Sequence, residues 1–378
     1  MVDEFISRSA YEQMAVTERA TAPEQQRLSI LPFQLIESPE GIILRRGSIQ
    51  VLIGGDRSLE TLEILVDVMK DGGATIDEAC SHFAAPDRPA VTQLIEHLLA
   101  RQFVIPANPN SVPIVDEGPL DVFYWHFGTS ASEITKRLNA VRIAIVGVNY
   151  VSHQLANSLT RTGMTNIKVI DYPLLRNLAL FDRHGILHSA EWRAPIEPVA
   201  YDAWSPQVAS NSFDCLVATS DFGGLRLMRQ WNALCIEQGR HFLPIVLQDM
   251  IGYIGPSMIP GETACFECFL ARLDSNFSGD TTKYQSELNA FEGQHLAGFH
   301  PSMASILGDL ATIELTKFYS RALPLWKVGS VMEINLLAGR IDSRKVLRVP
   351  RCPACSNLIH RSSTSIIKSS LASKVIES

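Results

Sequence analysis

The stretch VRIAIVGVNYVSHQLANSLTRTGMTNIKVID, residues 141–171, decides the fold of this 378-residue chain. It opens with an apolar run that is typical of a buried strand. The next segment places Val151, Leu155 and Leu159 on one face of a helix, and Gly163 is positioned to end that helix. A second apolar run, ending in an aspartate, follows directly. A strand, a helix and a strand in this order predict a right-handed crossover between parallel strands.

The same alternation continues further along the chain. FDCLVATSD at 213–221 and HFLPIVLQ at 241–248 are two more apolar runs, and LRLMRQWNALCIEQG at 225–239 has helical spacing between them. Strands that alternate with helices are typical of a parallel sheet with helices on its faces. We therefore expect an α/β fold with a Rossmann-type domain over residues 141–356.

A different pattern precedes this domain, over residues 31–106. PFQLIESPEGIILRRGSIQVLIGG at 32–55 alternates apolar and polar residues around two turns, which predicts three short strands. Helical patterns begin at Ser58 and Asp87, with Ser58 as the expected cap of the first. Between them Thr75 has a glutamate three residues later, the spacing of a capping box. Strands followed by three short helices predict a small winged-helix domain of the α+β class.

The remaining segments carry little periodicity. Residues 1–30 are polar and predict a flexible arm, residues 107–140 predict a linker, and the Ser- and Lys-rich residues 357–378 predict a flexible tail. A net charge of −7 offers no basic field for nucleic acid or an anionic membrane. Neither a secretory signal nor an apolar run of membrane-spanning length is apparent, so we expect a cytoplasmic protein.

Four of the seven cysteines form two Cys-x-x-Cys pairs. An odd number of cysteines in a cytoplasmic chain argues against a disulfide framework. The pairs are Cys265 with Cys268 and Cys352 with Cys355. Two such pairs supply the four thiolates of a tetrahedral zinc site and leave no open position for water. We therefore predict a structural zinc ion that fastens the C-terminal segment to the main domain, with reduced metal-free thiols as the alternative.

The turn after the first Rossmann strand is where a nucleotide phosphate would bind, at the start of the following helix. Such a turn needs glycines, and Gly147 is the only one in GVNYVSH. Asn149 and Tyr150 stand where small residues are preferred. Asp171 ends the next strand, at a position compatible with a ribose contact. The loop argues against ATP binding, whereas the position of Asp171 is compatible with it, although a carboxylate at the end of a parallel strand is also common without a ligand.

From Val141 to the final CPAC, the order of these features resembles the ThiF/MoeB and ubiquitin-activating family. The resemblance rests on the acidic strand end at Asp171, on Asp221 after LVATS, and on GPSMIPGETACFEC at 255–268. It implies that Asp221 coordinates the magnesium of ATP. It further implies that Asn177 contacts the phosphates of the nucleotide.

The chain departs from that family around the nucleotide. The phosphate loop is poor in glycine, and Leu180 stands where the family has an arginine. Ubiquitin-type activators also use a cysteine between the two Cys pairs to form a thioester, and no cysteine occurs between Cys268 and Cys352. The thioester step is therefore excluded.

A narrower resemblance is carried by PGETACFECFLARLDSN at 260–276, HPSMASILGDLATIELTKF at 300–318 and VPRCPAC at 349–355. These segments are similar to the ocin-ThiF-like proteins, the leader-peptide-binding partners of YcaO cyclodehydratases in the biosynthesis of thiazole/oxazole-modified peptides. The resemblance implies that residues 31–106 are a PqqD-like peptide-recognition element. It also implies that ATP-dependent catalysis lies in the YcaO partner.

In such an element, an extended leader peptide would add a strand to an exposed sheet edge, here residues 48–53. Apolar residues of the third helix would select leader side chains, and arginines would pair with leader acids, although the helix residues can equally be core. The predicted peptide-binding residues are Arg45, Arg46, Gln50, Val51, Leu52, Ile53, Val91, Leu94, Ile95, Leu98 and Arg101.

Three further functions stay open from the sequence. The main alternative is an adenylyltransferase that activates a peptide carboxylate with ATP, and a weaker one is an NAD(P)-dependent oxidoreductase. A DNA-binding winged helix is disfavoured because the third helix, from Asp87, has little positive charge. A homodimer is plausible, since relatives in the broad superfamily often pair through their Rossmann domains.

Overall fold

The computed structural model describes residues 26–55, 57–70, 72–107, 118–188, 190–204, 212–275, 298–323 and 328–356. Its backbone contacts divide the chain into two units, Met1–Thr135 with Arg321–Pro324 and Lys136–Ser320 with Leu325–Ser378. Most of the expected arm, the start of the expected linker and the whole expected tail lie outside the described residues. No helix in the described ranges combines the length and apolar character of a membrane span.

The N-terminal unit contains a three-stranded antiparallel sheet, a two-stranded antiparallel sheet and short helices. Its strands are β1 (Leu28–Ile30), β2 (Gln34–Ser38), β3 (Gly41–Arg46), β4 (Ile49–Ile53) and β5 (Val104–Pro106). Its helices are α1 (Ser58–Met69), α2 (Ile76–Ser81), α3 (Arg88–Ala100) and α4 (Pro119–Trp125). The order in the larger sheet is β2-β3-β4, and β1 pairs with β5. The three strands and three helices expected for residues 31–106 are therefore present.

The helix starts agree with the sequence prediction in one case and differ in another. The Thr75 hydroxyl accepts from the N–H of Glu78 at 3.1 Å, and the Glu78 carboxylate accepts from the N–H of Thr75 at 3.0 Å. The capping box is therefore confirmed. Ser58 is wrong as a cap: the residue before α1 is Arg57, whose side chain forms no capping hydrogen bond. The Arg57 guanidinium binds Glu60 in the first turn instead.

Two of the expected boundaries need correction. The expected flexible arm includes Leu28 and Ile30, yet both are buried in β1, and Leu28 exchanges two backbone hydrogen bonds with Ala74. The expected linker over 107–140 contains α4 and a further helix, α5 (Ala131–Asn139). Tyr124 and Trp125 are almost fully buried. Two aromatic residues of this segment are therefore core, whereas Phe123 is 46% exposed, and the lack of a long periodic pattern did not reveal this.

The C-terminal unit is built on an eight-stranded mixed sheet. Its strands are β6 (Ile143–Val146), β7 (Ile167–Asp171), β8 (Val199–Ala200), β9 (Cys215–Ser220), β10 (His241–Gln248), β11 (Ile251–Ile254), β12 (Ser330–Asn335) and β13 (Arg340–Lys345). Its helices are α6 (Tyr150–Arg161), α7 (Arg229–Gln238), α8 (Phe266–Ser275) and α9 (Pro301–Ser320). The order of the strands is β13-β12-β11-β10-β9-β6-β7-β8.

The strand directions show a Rossmann-like half followed by an antiparallel extension. Strands β10, β9, β6, β7 and β8 are parallel, as the alternation of strands and helices predicted. Strands β11, β12 and β13 add antiparallel to the β10 edge. These three were not predicted: β11 and β13 each follow their partner strand through a hairpin, and β12 pairs with β11 across α8 and α9.

Helix α6 follows β6 directly and packs closely against α9. Gly308 of α9 makes this approach possible, because a Cβ at that position would lie 2.9 Å from the backbone nitrogen of Leu155. The Asp309 carboxylate also accepts hydrogen bonds from Ser158 and Gln154 of α6. The start of α6 is thereby fixed at the carboxyl edge of the parallel strands, where ligands bind in open α/β sheets.

Candidate functional site

The four paired cysteines converge into one cluster. Cys265 and Cys268 lie at the start of α8, and Cys352 and Cys355 lie in the segment after β13. Their sulfur atoms all fall within 4.8 Å of one another, and the first three side chains are buried. A hydrogen bond also holds the segment after β13 beside α8: the Arg272 side chain donates to the carbonyl of Leu347 at 2.8 Å.

The dimensions of the cluster fit a tetrahedral metal ion. The Sγ–Sγ separations are 3.8 Å for Cys265–Cys268, 3.6 Å for Cys265–Cys352 and 3.5 Å for Cys268–Cys355. Four Zn–S bonds of about 2.3 Å give edges of about 3.8 Å, whereas a disulfide would bring two sulfurs to about 2.05 Å. The cluster can therefore hold a metal ion, and its size is consistent with zinc.

One thiol of the cluster is favoured in its ionised form. A hydrogen bond from Cys265 and a second from the backbone N–H of Val349 at 3.3 Å hold the pKa of Cys268 well below its ordinary value. A thiolate is the form that binds a metal ion. Because four protein sulfurs fill a tetrahedral shell, an ion here would stabilise the fold and would not activate water.

We expect Cys352→Ser to remove the bound metal and to lower the thermal stability of the C-terminal unit. Loss of one thiolate opens the shell and frees the segment after β13. Elemental analysis of the purified chain should find one zinc per wild-type chain and well under half of that in the variant.

Cys80→Ser is the matched control, because Cys80 is a buried thiol of the N-terminal unit. It should keep the full zinc content. A wild-type chain without metal after purification in zinc-supplemented medium would contradict a metal-binding cluster.

The start of α6 is closed by side chains of the protein itself. Asn149 caps the helix, and its side-chain oxygen accepts from the N–H of Ser152 at 3.0 Å. Its side-chain nitrogen donates to the carbonyls of Leu175 and Thr219, at 3.2 and 3.0 Å. Asn149 is fully buried, and a Cβ at Gly147 would lie only 2.9 Å from its side-chain nitrogen. The turn that would cradle phosphate is therefore packed with an amide side chain.

Asp221 lies against the first turn of α6. Its Oδ2 accepts from the N–H of Tyr150 and from the side chain of Asn177, both at 2.9 Å. The carboxylate is fully buried, and its Oδ1 has no hydrogen-bond partner among the described residues. An N–H that could bind a phosphate thus binds a carboxylate of the protein.

Asp171 is engaged by a residue that the sequence analysis did not single out. The guanidinium of Arg176 forms two hydrogen bonds to the Asp171 carboxylate, at 2.6 and 2.7 Å. This bidentate geometry is the strong form of the arginine–carboxylate pair. Arg176 also lies over the ring of Phe181, 4.6 Å from its centroid. The carboxylate expected to contact a ribose is therefore held by a local ion pair.

The four residues predicted for the nucleotide are thus gathered at one edge of the sheet, yet each is bound or covered from within the protein. Asn177 and Asp221 contact each other directly. Gly147 has a φ of +111°, a conformation that favours glycine, and lies beside Thr219. The sequence could have indicated Arg176 as the partner of Asp171, because the two residues lie five positions apart in the crossover that follows β7.

The burial of the Asp221 carboxylate predicts that the stability of the folded protein depends on pH. Burial raises its pKa from 3.8 to about 6. Because the folded value is above the unfolded one, the associated stabilisation is fully present below pH 3.8 and is lost as the pH rises through about 6. Asp221→Asn should therefore raise the free energy of unfolding at pH 8 by roughly 1–3 kcal/mol, since one pKa unit corresponds to about 1.36 kcal/mol.

Urea denaturation of both proteins at pH 8 and pH 4.5 measures this difference. The gain from Asp221→Asn should shrink markedly at the lower pH. An equal change at both pH values would show that the buried charge is not its cause.

The predicted peptide-binding residues fall into two groups. Five belong to the core of the N-terminal unit and cannot contact a surface ligand, which corrects that part of the prediction: Arg46, Val51, Val91, Ile95 and Leu98. The others remain accessible, fully or in part: Arg45, Gln50, Leu52, Ile53, Leu94 and Arg101.

Arg46 is the least expected member of the buried group. Its side chain is 4% exposed and donates to the carbonyl of Gln102 at 2.5 Å. The guanidinium lies 4.9 Å from the ring centroid of Phe103. Burial lowers the pKa of Arg46 to about 10. A guanidinium held in this way is part of the packing of the unit.

Comparisons with known proteins show the fold of the chain. No family model matches it, and no curated protein matches its sequence. The structure of E. coli MccB is 15% identical, with a TM-score of 0.59 over 88% of this chain and 97% of MccB. The Microcin C7 biosynthetic enzyme MccB in complex with N-formylated MccA is also 15% identical, with a TM-score of 0.60 over 87% and 99% of the two chains.

A heterocyclase in complex with substrate and cofactor is a third solved structure with this fold. It is 15% identical, with a TM-score of 0.54 over 88% of this chain. The match spans 40% of the heterocyclase chain. At such identities these likenesses show a shared fold.

Proposed function

We propose that this chain is a cytoplasmic, non-catalytic partner subunit that binds the leader of a ribosomally made precursor peptide. It delivers the precursor to a separate YcaO cyclodehydratase, which forms thiazoline or oxazoline rings at the expense of ATP. The N-terminal unit acts as the PqqD-like winged-helix recognition element. The C-terminal unit has the ThiF/MoeB-like scaffold of the ocin-ThiF-like proteins, with a structural zinc ion in its cysteine cluster.

The edge strand β4 is the observation that carries this proposal. Among the described residues, β4 pairs with β3 alone, so its other edge is available to an extended peptide. Gln50 and Leu52 project from β4 and are exposed. Main-chain hydrogen bonds to such an edge bind a peptide, and side chains beside it set the sequence preference.

Exposed basic residues of the N-terminal unit suit an acidic leader. Arg45 is exposed and lies directly opposite Gln50 in the antiparallel register of β3 and β4. Arg101 is exposed at the end of α3. Each exposed ion pair with a leader carboxylate would contribute about 0.2–1 kcal/mol and would weaken with added salt.

Two of the solved structures support a role in peptide modification. MccB has been solved with MccA, and the heterocyclase was solved with its substrate and cofactor. The fold of this chain corresponds to part of that heterocyclase. A scaffold of this kind can therefore exist both as one region of a larger heterocyclase and, as we propose here, as a separate subunit.

Leu52→Asp should weaken leader binding, because it places a charge beside the bound strand. The measurement is fluorescence polarisation with a dye-labelled leader of a candidate precursor, chosen as a short Cys/Ser/Thr-rich peptide encoded near a YcaO protein. We expect a Kd near micromolar for the wild type and at least about tenfold weaker binding for the variant, a loss of about 1.4 kcal/mol.

Ile36→Asp is the matched control. Ile36 is 40% exposed and Leu52 is 48% exposed. Both lie in one cross-strand row through Ile43, but Ile36 is on β2, at the opposite edge of the sheet. Its variant should bind the leader like the wild type. Equal loss in both variants, or no leader binding near micromolar concentration by the wild type, would defeat the proposal.

An ATP-dependent adenylyltransferase acting on a peptide carboxylate is the second candidate function. It is favoured by the unpaired Oδ1 of Asp221, a buried oxygen at the place where the family resemblance puts magnesium. MccB has also been solved with ATP. Against it stand the packed turn at Asn149 and the engaged carboxylate of Asp171.

Calorimetric titration of the protein with ATP and magnesium separates the two functions. We expect no binding with a Kd below about 1 mM, because the helix start and both carboxylates are already bound within the protein. Micromolar ATP binding that Asp221→Ala abolishes would favour the adenylyltransferase.

A further inference from the structure

A cavity of about 240 Å³ lies in the C-terminal unit, between the last turns of α9 and the face of the sheet. Ile254, Met332 and Ser343 lie opposite one another in neighbouring strands and form one row on that face. None of the cysteine ligands and none of the residues at the start of α6 line this cavity. It is therefore a separate feature that the proposed peptide-binding role does not use.

The inner wall of the cavity is apolar. Four aliphatic or thioether side chains form it: Leu243, Ile254, Leu315 and Met332. Pockets for drug-sized ligands measure about 300–1,000 Å³, so this one suits a smaller molecule. The occupant should therefore carry a short aliphatic group.

Neutral hydrogen-bonding groups lie beside the apolar wall. Ser257, Ser330 and Ser343 contribute hydroxyls. The His241 ring contacts the Ser257 hydroxyl at 2.8 Å through Nε2 and the Tyr319 hydroxyl at 2.9 Å through Nδ1. Burial lowers the pKa of His241 to about 3, so the ring is neutral at physiological pH. These groups can donate or accept hydrogen bonds, but they carry no charge.

The lining of the cavity contains one acidic and one basic residue. Glu314 and Lys317, one turn apart on α9, form an ion pair at 2.7 Å and are partly exposed. A pair at this i,i+3 spacing on one helix contributes little to stability, so a ligand can open it at little cost. A ligand with one charge would meet one attractive and one repulsive group. A dipolar ligand would match both.

We propose that this cavity binds a free aliphatic α-amino acid, with its ammonium group at Glu314, its carboxylate at Lys317 and its side chain against the apolar wall. The size of the cavity, the pair of opposite charges and the aliphatic lining each point to this class. The hydroxyls of Ser257 and Ser330 offer additional hydrogen bonds to the ligand carboxylate.

Calorimetric titration of the full chain with L-leucine tests this directly. Two analogues each lack one charge: 4-methylpentanoate has no ammonium group and 3-methylbutylamine has no carboxylate. We expect L-leucine to bind and each analogue to bind at least about tenfold more weakly, a difference of about 1.4 kcal/mol. Equal binding of leucine and either analogue would show that the cavity does not recognise both charges of the ligand, which contradicts the proposal.

Variants identify the site of binding. Lys317→Gln should weaken leucine binding at least about tenfold, or by about 1.4 kcal/mol, and Ser330→Leu should abolish it by filling the cavity. Lys168→Gln changes an exposed lysine of β7 in the same unit and should have no effect. Thermal unfolding of each variant verifies that it is folded.

Two results would refute the proposal. One is the absence of binding for leucine, isoleucine, valine and methionine at concentrations up to about 10 mM, where a millimolar Kd is still measurable. The other is leucine binding that survives both Lys317→Gln and Ser330→Leu in folded protein. Neither result bears on leader binding, which is measured on the other unit.

Discussion

The carboxylate of Asp221 joins three segments at the carboxyl edge of the parallel sheet. It follows β9, it accepts the N–H of Tyr150 at the start of α6, and it accepts the side chain of Asn177 in the crossover after β7. In a nucleotide-binding Rossmann fold, the start of this helix attracts a phosphate. Here a carboxylate of the protein occupies that position. A backbone N–H at the start of this helix therefore binds a group of the protein itself.

The contacts around Asp221 indicate which parts of the protein are free to bind a ligand. With Asn149 filling the turn and Arg176 holding Asp171, most of the groups that would meet a nucleotide are hydrogen-bonded within the protein, Oδ1 of Asp221 being an exception. The cysteine cluster is independent of that region and keeps the dimensions of a metal site. The N-terminal unit retains an open strand edge with exposed side chains. The proposed binding role centres on that edge, on a scaffold whose cysteine cluster can hold a metal ion.

Much of the fold could be read from the sequence, because its signals are local. The spacing of Val151, Leu155 and Leu159 placed α6, and the Thr75 capping box placed α2. The two Cys-x-x-Cys pairs indicated a shared cluster despite more than 80 residues between them. Such signals repeat at a fixed period or use residue types with one dominant chemistry.

The features that could not be predicted depend on contacts between distant residues, or on which face of a strand a residue occupies. Arg46 shares its face of β3 with the buried Ile42 and Leu44, so the period of two could have indicated its burial, but its charge suggested a surface residue. The pairing of β11 with β12 and the cavity near His241 depend on partners far away in sequence. No local pattern specifies such contacts.

We propose that this scaffold does not use a nucleotide itself. The most direct measurement is exchange of labelled pyrophosphate into ATP by the purified chain, with magnesium and the precursor peptide but without a YcaO protein. We expect no exchange above background, and ATP consumption only after the YcaO partner is added. Sustained exchange by the chain alone, lost in Asp221→Ala, would contradict the claim.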